Sequence, residues 1–351
     1  MMNLRPLGCT SLNVSELCLG TMNFGWKTDE STSLAILDTF FASGGNFIQS
    51  LGFEARPPGS PLSPTFSEAI VGSWWSSRGI RRQDLVLATR VTLNEEGSFG
   101  SSSPYSGVRA LCEASLRRLR TDYLDILVCE WTGAGNPPEA LRRGLDWLVR
   151  EGWVRYVAFS NLPAWRVATG LRDGFERIHC RISAVQADYS LLSRTPFESD
   201  LAELCSEQRL GFFARSPLAG GLLTKASGSH NAISPSRRAW LAERHGWDVI
   251  DRATHALSEL AVDSGFTESQ IALSWVLHHP GVTSLITGAA SIEHLIDAVR
   301  ATRIRLGAEE LNLLHQATRR QHVALPHRSA PPGRSSPLQA ASRHSLELEK
   351  V

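Results

Sequence analysis

Short apolar runs alternate along the chain with segments whose apolar residues recur at helical spacing. Eight of the apolar runs predict β-strands: Leu17–Met22, Asn46–Leu51, Leu85–Val91, Leu124–Glu130, Val154–Ser160, Ile182–Gln186, Gly211–Ser216 and Ser284–Gly288. The helical pattern predicts α-helices over nine segments: Thr32–Ala42, Ser67–Ser76, Ser106–Arg120, Pro138–Glu151, Leu162–Leu171, Phe197–Gln208, Trp247–Asp263, Thr267–His278 and Ser291–Thr302.

The order of these elements indicates the fold class. Continuous apolar runs such as Tyr123–Cys129 are typical of parallel strands that are buried on both faces. Eight strand–helix units in succession favour an α/β fold of the (β/α)8 TIM-barrel type over an open doubly wound sheet. No G-x-G-x-x-G motif follows a predicted strand, which disfavours a Rossmann fold. Ahead of the barrel, Leu4–Leu17 predicts an N-terminal β-hairpin with Gly8 and Asn13 at its turn.

The C-terminal segment Gln321–Val351 differs in composition from the rest. It is rich in Pro, Ser, Ala and Arg and has little periodicity, so we expect it to be a disordered, basic, Pro/Ser-rich tail. The predicted domain organisation is therefore a barrel over residues 1–320 and a tail over residues 321–351. Binding of nucleic acid by the tail is the alternative, and a solvated tail is favoured.

Charge and hydropathy exclude several classes of partner. The 351 residues contain 36 Lys+Arg and 35 Asp+Glu, giving a net charge of +1. A balanced chain has no general attraction to nucleic acid or anionic lipid. No apolar run approaches the roughly 18 residues of a membrane span, and the N-terminus has no signal-peptide core. We expect a cytoplasmic protein that acts on a small molecule, without nucleic-acid or membrane partners; its oligomeric state is left open.

The six cysteines form no C-x-x-C pair and fit no zinc-ligand spacing. We read them as reduced, mainly buried thiols and predict no metal site.

From about Leu4 to Arg319 the chain resembles the aldo-keto reductase superfamily. The resemblance lies in the order and spacing of seven segments: Leu17–Met22, Gly45–Ile48, Ser67–Gly72, Val86–Val91, Glu113–Asp125, Val154–Asn161 and Ser216–Thr224. It implies a (β/α)8 barrel that binds NADPH at the carboxyl ends of its strands without a Rossmann motif. It also implies a small-molecule substrate.

The resemblance assigns cofactor contacts to particular residues. Ser160, Asn161 and Gln186 match the family residues that hold the nicotinamide carboxamide, which needs a fixed donor and a fixed acceptor. Tyr189 matches an aromatic that stacks on the nicotinamide ring, with a core role as the alternative. Thr21, at the end of the first barrel strand, is included in the same predicted site.

Two further segments match the parts of the family that bind the rest of the cofactor. The loop Ser216–Thr224 resembles the one that crosses the pyrophosphate, with Ser216, Pro217, Leu218 and Gly221 as predicted contacts. Gly288–Ser291 resembles the adenosine-phosphate corner at a helix N-terminus.

That corner departs from the family. Ala290 stands where members often carry Arg, His294 replaces the usual Gln, and Ala298 replaces the usual Asn. Loss of a bidentate phosphate partner weakens NADP preference. The expected cofactor is NADP, with NAD as an open alternative.

The family's four catalytic positions are also altered. The resemblance places Gln49 at the Asp position, Phe53 or Glu54 near the Tyr position, Arg90 at the Lys position and Glu130 at the His position. No shift of alignment within the first four strand–helix units restores the Tyr, Lys or His, and Tyr105, from the loop after the third strand, is the one conceivable stand-in for the Tyr. The first tyrosine is Tyr105, no lysine lies between Lys27 and Lys225, and no histidine precedes His179.

Arg90 and Glu130 are the predicted reactive pair, with Gln49 and Phe53 beside them. Arginine remains charged and is bulkier than lysine, so it does not reproduce the lysine's function. Glu130 has two open roles: an ion pair with Arg90 at the barrel mouth, or a general acid whose pKa is raised beside apolar Trp131 and Leu127.

Three functions follow as hypotheses. The first is an NAD(P)H-dependent oxidoreductase that acts on an activated carbonyl or conjugated double bond. The second is a non-redox lyase, isomerase or cyclase that uses Glu130. The third is a catalytically silent NADP-binding regulatory protein, by analogy with potassium-channel β subunits of this fold.

Overall fold

The structure, a computed structural model, describes residues 1–53, 66–93, 104–132, 139–171, 182–224 and 235–319. Residues Met1–Thr318 form one compact unit. The predicted tail 321–351 and the predicted start of a helix at Pro138 lie outside the described residues. The disorder of the tail and the domain boundary therefore stay predictions.

Eight parallel strands close into a barrel in the order β10-β3-β4-β5-β6-β7-β8-β9, which confirms the predicted (β/α)8 architecture. The barrel strands are β3 Leu17–Gly20, β4 Phe47–Phe53, β5 Val86–Leu93, β6 Leu124–Trp131, β7 Val154–Ser160, β8 Ile182–Asp188, β9 Gly211–Arg215 and β10 Ser284–Gly288. Each of the eight apolar runs of the sequence corresponds to one of them.

The predicted N-terminal hairpin is also confirmed. Strands β1 (Leu4–Pro6) and β2 (Asn13–Ser15) pair antiparallel, with Leu4 opposite Ser15. Gly8 adopts φ +52° at the turn, where an added Cβ would lie 2.5 Å from the carbonyl oxygen of Arg209. Only glycine fits such a close approach in that conformation.

The core has two layers. Inside the barrel, alternate side chains of the strands such as Phe47 and Phe213 pack with the hairpin residues Leu7 and Val14. Outside it, a larger apolar layer lies between the strands and the helices and includes the fully buried Trp74. The hairpin side chains therefore fill one end of the barrel interior, and the polar residues described below lie at the carboxyl ends of the strands.

Eleven α-helices are described around the barrel: α1 Glu30–Ala42, α2 Phe66–Ser77, α3 Pro104–Leu119, α4 Glu139–Arg150, α5 Ala164–Gly170, α6 Ala202–Glu207, α7 Pro235–His245, α8 Trp247–Ser264, α9 Glu268–His278, α10 Ile292–Ala301 and α11 Ala308–Thr318. The predicted helix Phe197–Gln208 is a π-helical turn, Phe197–Leu201, followed by α6. The sequence reading missed α7 and α11. None of the helices in the described ranges combines the length and the apolar character that a membrane crossing requires.

Candidate active site

A cavity of about 460 Å³ opens at the carboxyl ends of the strands. This is the end of a TIM barrel at which active sites form. Its described lining residues are Gly20, Met22, Asn23, Gln49, Ser50, Leu51, Arg90, Arg215, Ser216, Pro217, Leu218, Gly220, Gly221, Ile286, Thr287 and Gly288. Seven of the sixteen are residues that the sequence reading singled out.

Strand register brings three polar residues into one layer at this end of the barrel. Glu130 on β6 lies opposite Ser160 on β7, and Ser160 lies opposite Gln186 on β8. Gln186 donates from Nε2 to Oε1 of Gln49 at 3.1 Å, across the barrel from β4. Since Gln49 lines the cavity, this hydrogen bond links the layer to the cavity.

Two buried polar atoms in this layer have unused hydrogen-bonding capacity. Ser160 and Gln186 are both 0% exposed. Within the part of the chain that the structure describes, neither Ser160 Oγ nor Gln186 Oε1 has a hydrogen-bond partner. An unpaired buried polar group costs about 1–3 kcal/mol, so such atoms are rare unless a ligand uses them. One hydroxyl donor and one carbonyl acceptor match the oxygen and the NH₂ of a carboxamide.

Arg90 and Glu130 form a nearly buried ion pair. Nη1 of Arg90 lies 2.8 Å from Oε2 of Glu130, and their side chains are 10% and 15% exposed. The hydroxyl of Thr92 donates to the same oxygen at 3.4 Å. The structure thus contains the pair that the sequence reading gave as one of two roles for Glu130.

A second arginine that the sequence reading missed extends this ion pair. Arg215, at the end of β9, places Nη1 3.7 Å from Oε1 of Glu130 and donates from Nε to Oδ1 of Asp188 at 2.8 Å. Arg244 on α7 donates to the other oxygen of Asp188 at 3.2 Å. We call these five residues, Arg90, Glu130, Arg215, Asp188 and Arg244, the mouth network. Arg90 was predicted from the lysine position of the family, and the prediction included no such position for Arg215. The charge of Arg215 at the carboxyl end of a predicted barrel strand is the signal that could have identified it.

The network perturbs the pKa of Asp188. Burial alone would raise the pKa of this carboxyl, but the positive charge of Arg215 and its hydrogen bond oppose that effect. With further contributions from Arg244 and Ser216, the pKa of Asp188 is held below its ordinary value.

Asn161 joins the mouth network to the carboxamide layer. It adopts the left-handed conformation at φ 59°, and its backbone N–H donates to the carbonyl of Gln186 at 2.9 Å. Its side-chain Nδ2 donates to Oε1 of Glu130, and its Oδ1 accepts from Nη2 of Arg215 at 3.1 Å. Both polar atoms of the Asn161 side-chain amide are therefore occupied by the mouth network, whereas Ser160 Oγ and Gln186 Oε1 have no hydrogen-bond partner within the described residues.

The structure does not bring Tyr189 to the cavity. Its side chain is 1% exposed, packs against Phe197 and Trp275, and donates its hydroxyl to Oε1 of Glu198 at 3.0 Å. This is the core role that the sequence left open as the alternative to stacking on nicotinamide. The ring lies in the apolar layer outside the barrel and is not among the described residues that line the cavity.

Thr21 is fully buried as well. Its backbone N–H donates to the backbone carbonyl of Gln49 at 3.0 Å. It therefore supports the backbone of Gln49 and does not line the cavity. Phe53 ends β4, and its side chain lies outside the described residues.

The loop after β9 lines the cavity with a tight backbone. Ser216, Ala219, Gly220 and Gly221 all have positive φ, between 50° and 99°. Ser216, Pro217, Leu218 and Gly221 border the cavity together. Such irregular backbone at a cavity wall suits close approach of an anionic group to main-chain N–H groups.

The corner after β10 has few polar side chains. Ala290 and His294 are exposed, and Ser291 caps α10 by accepting from the backbone N–H of His294 at 3.3 Å. Glu293 stands in the first turn of α10, and the hydrogen bond from Ser291 lowers its pKa. A carboxylate near this helix end opposes a further phosphate there.

Comparison with known proteins adds a family assignment. The model of the aldo/keto reductase family matches residues 16–319. An uncharacterized oxidoreductase, YrpG, of Bacillus subtilis is 33% identical over 88% of this chain and 94% of its own length. Norsolorinic acid reductase of Aspergillus flavus is 30% identical over 87% of this chain and 78% of its own. A probable voltage-gated potassium channel subunit beta of Oryza sativa is 28% identical over 86% and 91%.

Proposed function

Because the chain belongs to the aldo/keto reductase family, we propose that it is a nicotinamide-dependent oxidoreductase that reduces an activated carbonyl or a conjugated double bond. The observation that carries this proposal is the position of Arg90. Arg90 lines the cavity, and its Nη1 lies 2.8 Å from the carboxylate of Glu130, which is not among the described lining residues. The altered catalytic positions Gln49, Phe53, Arg90 and Glu130 are part of the proposal.

The residues of the carboxamide layer fit a nicotinamide. The Ser160 hydroxyl can donate to the carboxamide oxygen, and Gln186 Oε1 can accept from its NH₂, because both atoms lack partners in the described structure. When bound, a reduced nicotinamide supplies a hydride. Ser216, Pro217, Leu218, Gly221 and Gly288 border the cavity, to which this layer is linked through Gln49, and would hold the phosphates.

NADP is the proposed cofactor, and NAD is the alternative. Ala290 offers no polar side-chain atom to a 2′-phosphate, and Glu293 opposes its charge. Both features favour NAD at this corner, so affinity for each nucleotide has to be measured.

The charged side chains of the cavity limit the substrate. Arginine is permanently protonated, so Arg90 can stabilise a developing oxyanion by hydrogen bonding but does not release a proton at neutral pH. A substrate suits this site when its reduced form is a stable anion, such as an enolate or a phenolate, which takes its proton from water later. Simple aldehydes give strongly basic alkoxides and need positioned proton donation, typically worth 10²–10⁴-fold.

The second hypothesis assigns acid–base work to Glu130. Both oxygens of Glu130 are engaged, Oε2 by Arg90 and Thr92 and Oε1 by Asn161 and Arg215. This arrangement favours a structural and electrostatic role over proton transfer. The third hypothesis, a silent NADP-binding protein, shares the cofactor site and differs only in turnover.

Binding and turnover test the proposal separately. Quenching of protein fluorescence on titration with NADPH and NADH measures cofactor binding. Stopped-flow oxidation of bound NADPH by quinones, conjugated enones and simple aldehydes then measures reduction. We expect quinones or enones to react at least tenfold faster than simple aldehydes. Failure to bind either nucleotide at millimolar concentration contradicts the proposal, and binding without oxidation by any acceptor supports the regulatory role.

A further inference from the structure

We propose that the side-chain amide of Asn23 is a further binding group of the cavity, and that it donates a hydrogen bond to a phosphate oxygen of the diphosphate of the nicotinamide nucleotide. The inference rests on the proposed function, to which it adds a cofactor contact that the sequence did not predict. Three features support this contact: the position of Asn23, the unused hydrogen-bonding capacity of its amide and the charges around the cavity.

The backbone fixes Asn23 at the edge of the cavity. Asn23 lies between β3 and α1 and is among the residues that line the cavity. Its carbonyl oxygen accepts hydrogen bonds from the backbone N–H groups of Trp26, Lys27 and Thr28 at 2.9 to 3.1 Å. Three hydrogen bonds to one carbonyl hold this loop in a single conformation. The backbone of Asn23 is therefore in place before a ligand binds, which lowers the entropic cost of binding.

The side chain of Asn23 is half-buried, and its amide has unused hydrogen-bonding capacity. No hydrogen bond joins this amide to another of the described residues. Its Nδ2 lies 3.8 Å from the position that a Cβ would take at Gly288. Gly288 and Gly20 lie opposite each other at the ends of β10 and β3, and neither contributes a side chain that could cover the amide. Two N–H donors of the amide are therefore available to a ligand in the cavity.

The surroundings of the amide suit an anion. The described residues that line the cavity include no carboxylate, so a phosphate meets no like charge among them. The loop after β9 borders the same cavity, and its positive-φ backbone at Ser216, Gly220 and Gly221 suits close approach of an anionic group. An amide N–H that donates to a phosphate oxygen forms a charge-assisted hydrogen bond, which is stronger than a bond between neutral groups. Asn23 and the loop after β9 thus border one cavity that accepts an anion.

A ribose hydroxyl is the other cofactor group that an amide can bind. A carboxylate at the same position would accept a hydrogen bond from a hydroxyl but would repel a phosphate. Asn23→Asp keeps the size of the side chain, so the direction of its effect separates the two ligands. The matched control is Asn312 on α11, which is exposed and is not among the lining residues. Asn312→Ala and Asn312→Asp make the same chemical changes away from the cavity.

The experiment is calorimetric titration of the full chain with ADP-ribose, which contains the diphosphate and lacks the nicotinamide. We expect Asn23→Ala to bind ADP-ribose about tenfold more weakly than the parent, the equivalent of one hydrogen bond to a charged group. Asn23→Asp should bind it more weakly still, because the new charge repels the diphosphate. Both Asn312 variants should keep the affinity of the parent. The urea midpoint of Asn23→Ala should match that of the parent, since the amide makes no hydrogen bond to another described residue.

Three results overturn the inference. The first is an unchanged affinity for ADP-ribose in Asn23→Ala. The second is an affinity in Asn23→Asp that equals or exceeds that of the parent, which would indicate a ribose hydroxyl. The third concerns a phosphate on the substrate, the other source of this chemistry: binding of phenyl phosphate that depends on Asn23 while ADP-ribose is saturating would assign the amide to the substrate.

Turnover separates this inference from the proposed function. If binding of ADP-ribose depends on Asn23 but no acceptor oxidises NADPH, the diphosphate contact stands and the reductase proposal falls. If quinones or enones oxidise NADPH and Asn23→Ala keeps the affinity of the parent for ADP-ribose, the reductase proposal stands and the diphosphate contact falls.

Discussion

Arg90 and Glu130 meet at 2.8 Å on neighbouring strands of the barrel, where Thr92 of β5 lies opposite Glu130 of β6. The pair is almost excluded from water, with side chains 10% and 15% exposed. Removing one partner of such a pair leaves the other charge poorly compensated. Glu130 therefore holds the guanidinium of Arg90 in position at the edge of the cavity.

Glu130→Gln is the first test of this role. We expect the variant to lose about 1–3 kcal/mol of unfolding free energy, since Arg90 loses the negative charge of Glu130 while the amide keeps a hydrogen-bonding group there. We expect reduction of the best quinone or enone to survive within roughly tenfold, because Glu130 is not the proton donor in the proposed function. Urea unfolding and NADPH oxidation measure the two effects.

The matched control for this variant is Glu113→Gln, which removes a carboxylate from the exposed pair with Arg117. Exposed pairs of this kind contribute about 0–1 kcal/mol, so little change is expected. Complete loss of turnover in Glu130→Gln, with NADPH binding intact, would instead support acid–base chemistry by Glu130.

Ser160→Ala separates a binding role from a structural one. The Ser160 hydroxyl is buried without a partner in the described structure, so its removal should leave the unfolding free energy unchanged or raise it by up to about 1 kcal/mol. If the hydroxyl holds the nicotinamide carboxamide, affinity for NADPH should fall by roughly 5- to 10-fold, the equivalent of one hydrogen bond.

Ser183→Ala is the control for Ser160→Ala. Ser183 is equally buried on the next strand, but its hydroxyl donates to the carbonyl of Val157 at 3.0 Å. This substitution should lower stability by about 1 kcal/mol and leave NADPH affinity unchanged. Unchanged affinity in Ser160→Ala would remove Ser160 from the cofactor site.

The positions of strands and the directions of side chains differ in how far the sequence predicts them. Val154–Ser160 and Ser284–Gly288 were predicted with the bounds that the structure has, because strands buried on both faces are continuous apolar runs with polar ends. Tyr189 lies one residue beyond the end of β8, where the alternation of the strand no longer decides which way a side chain points. Its contacts with Phe197 and Trp275 decide it instead.

The helix and the ion-pair link that the sequence did not predict were also missed for physical reasons. Helix α7 is rich in charged residues and contains the exposed Trp240, so its sequence shows no clear apolar stripe. The ion pair of Arg90 with Glu130 could be anticipated, since both residues lie near the carboxyl ends of neighbouring strands. The link from Arg215 to Glu130 crosses the barrel mouth, and only the closed barrel brings those strands together.

The lowered pKa of Asp188 predicts how stability depends on pH. The folded state holds this carboxylate ionised with Arg215 and Arg244, so its contribution is complete above the ordinary aspartate pKa of about 3.9. That contribution is lost as pH falls through the lowered folded-state value. We expect Asp188→Asn to be less stable than the parent at pH 7 and to show a flatter decline below about pH 4.

Urea unfolding between pH 2.5 and 7 measures this difference. Asp248→Asn is the control, since its carboxylate is 73% exposed and pairs with Arg252 on the surface. Parallel stability curves for the parent and Asp188→Asn would show that the mouth network does not stabilise the folded state through this carboxylate.

Ala290→Arg tests where the adenosine phosphate lies. Ala290 is exposed and directly precedes Ser291, the cap of α10, so a guanidinium there would stand at the corner proposed for the 2′-phosphate. Since bidentate arginine–phosphate pairs are strong, we expect NADPH affinity to rise about tenfold relative to NADH. Ala290→Gln adds similar length without charge and should change the ratio little. The ratio of the two dissociation constants, measured by fluorescence titration, is the readout. An equal gain for NADH and NADPH would mean that the new charge meets the pyrophosphate, and it would move the adenosine end of the cofactor away from α10.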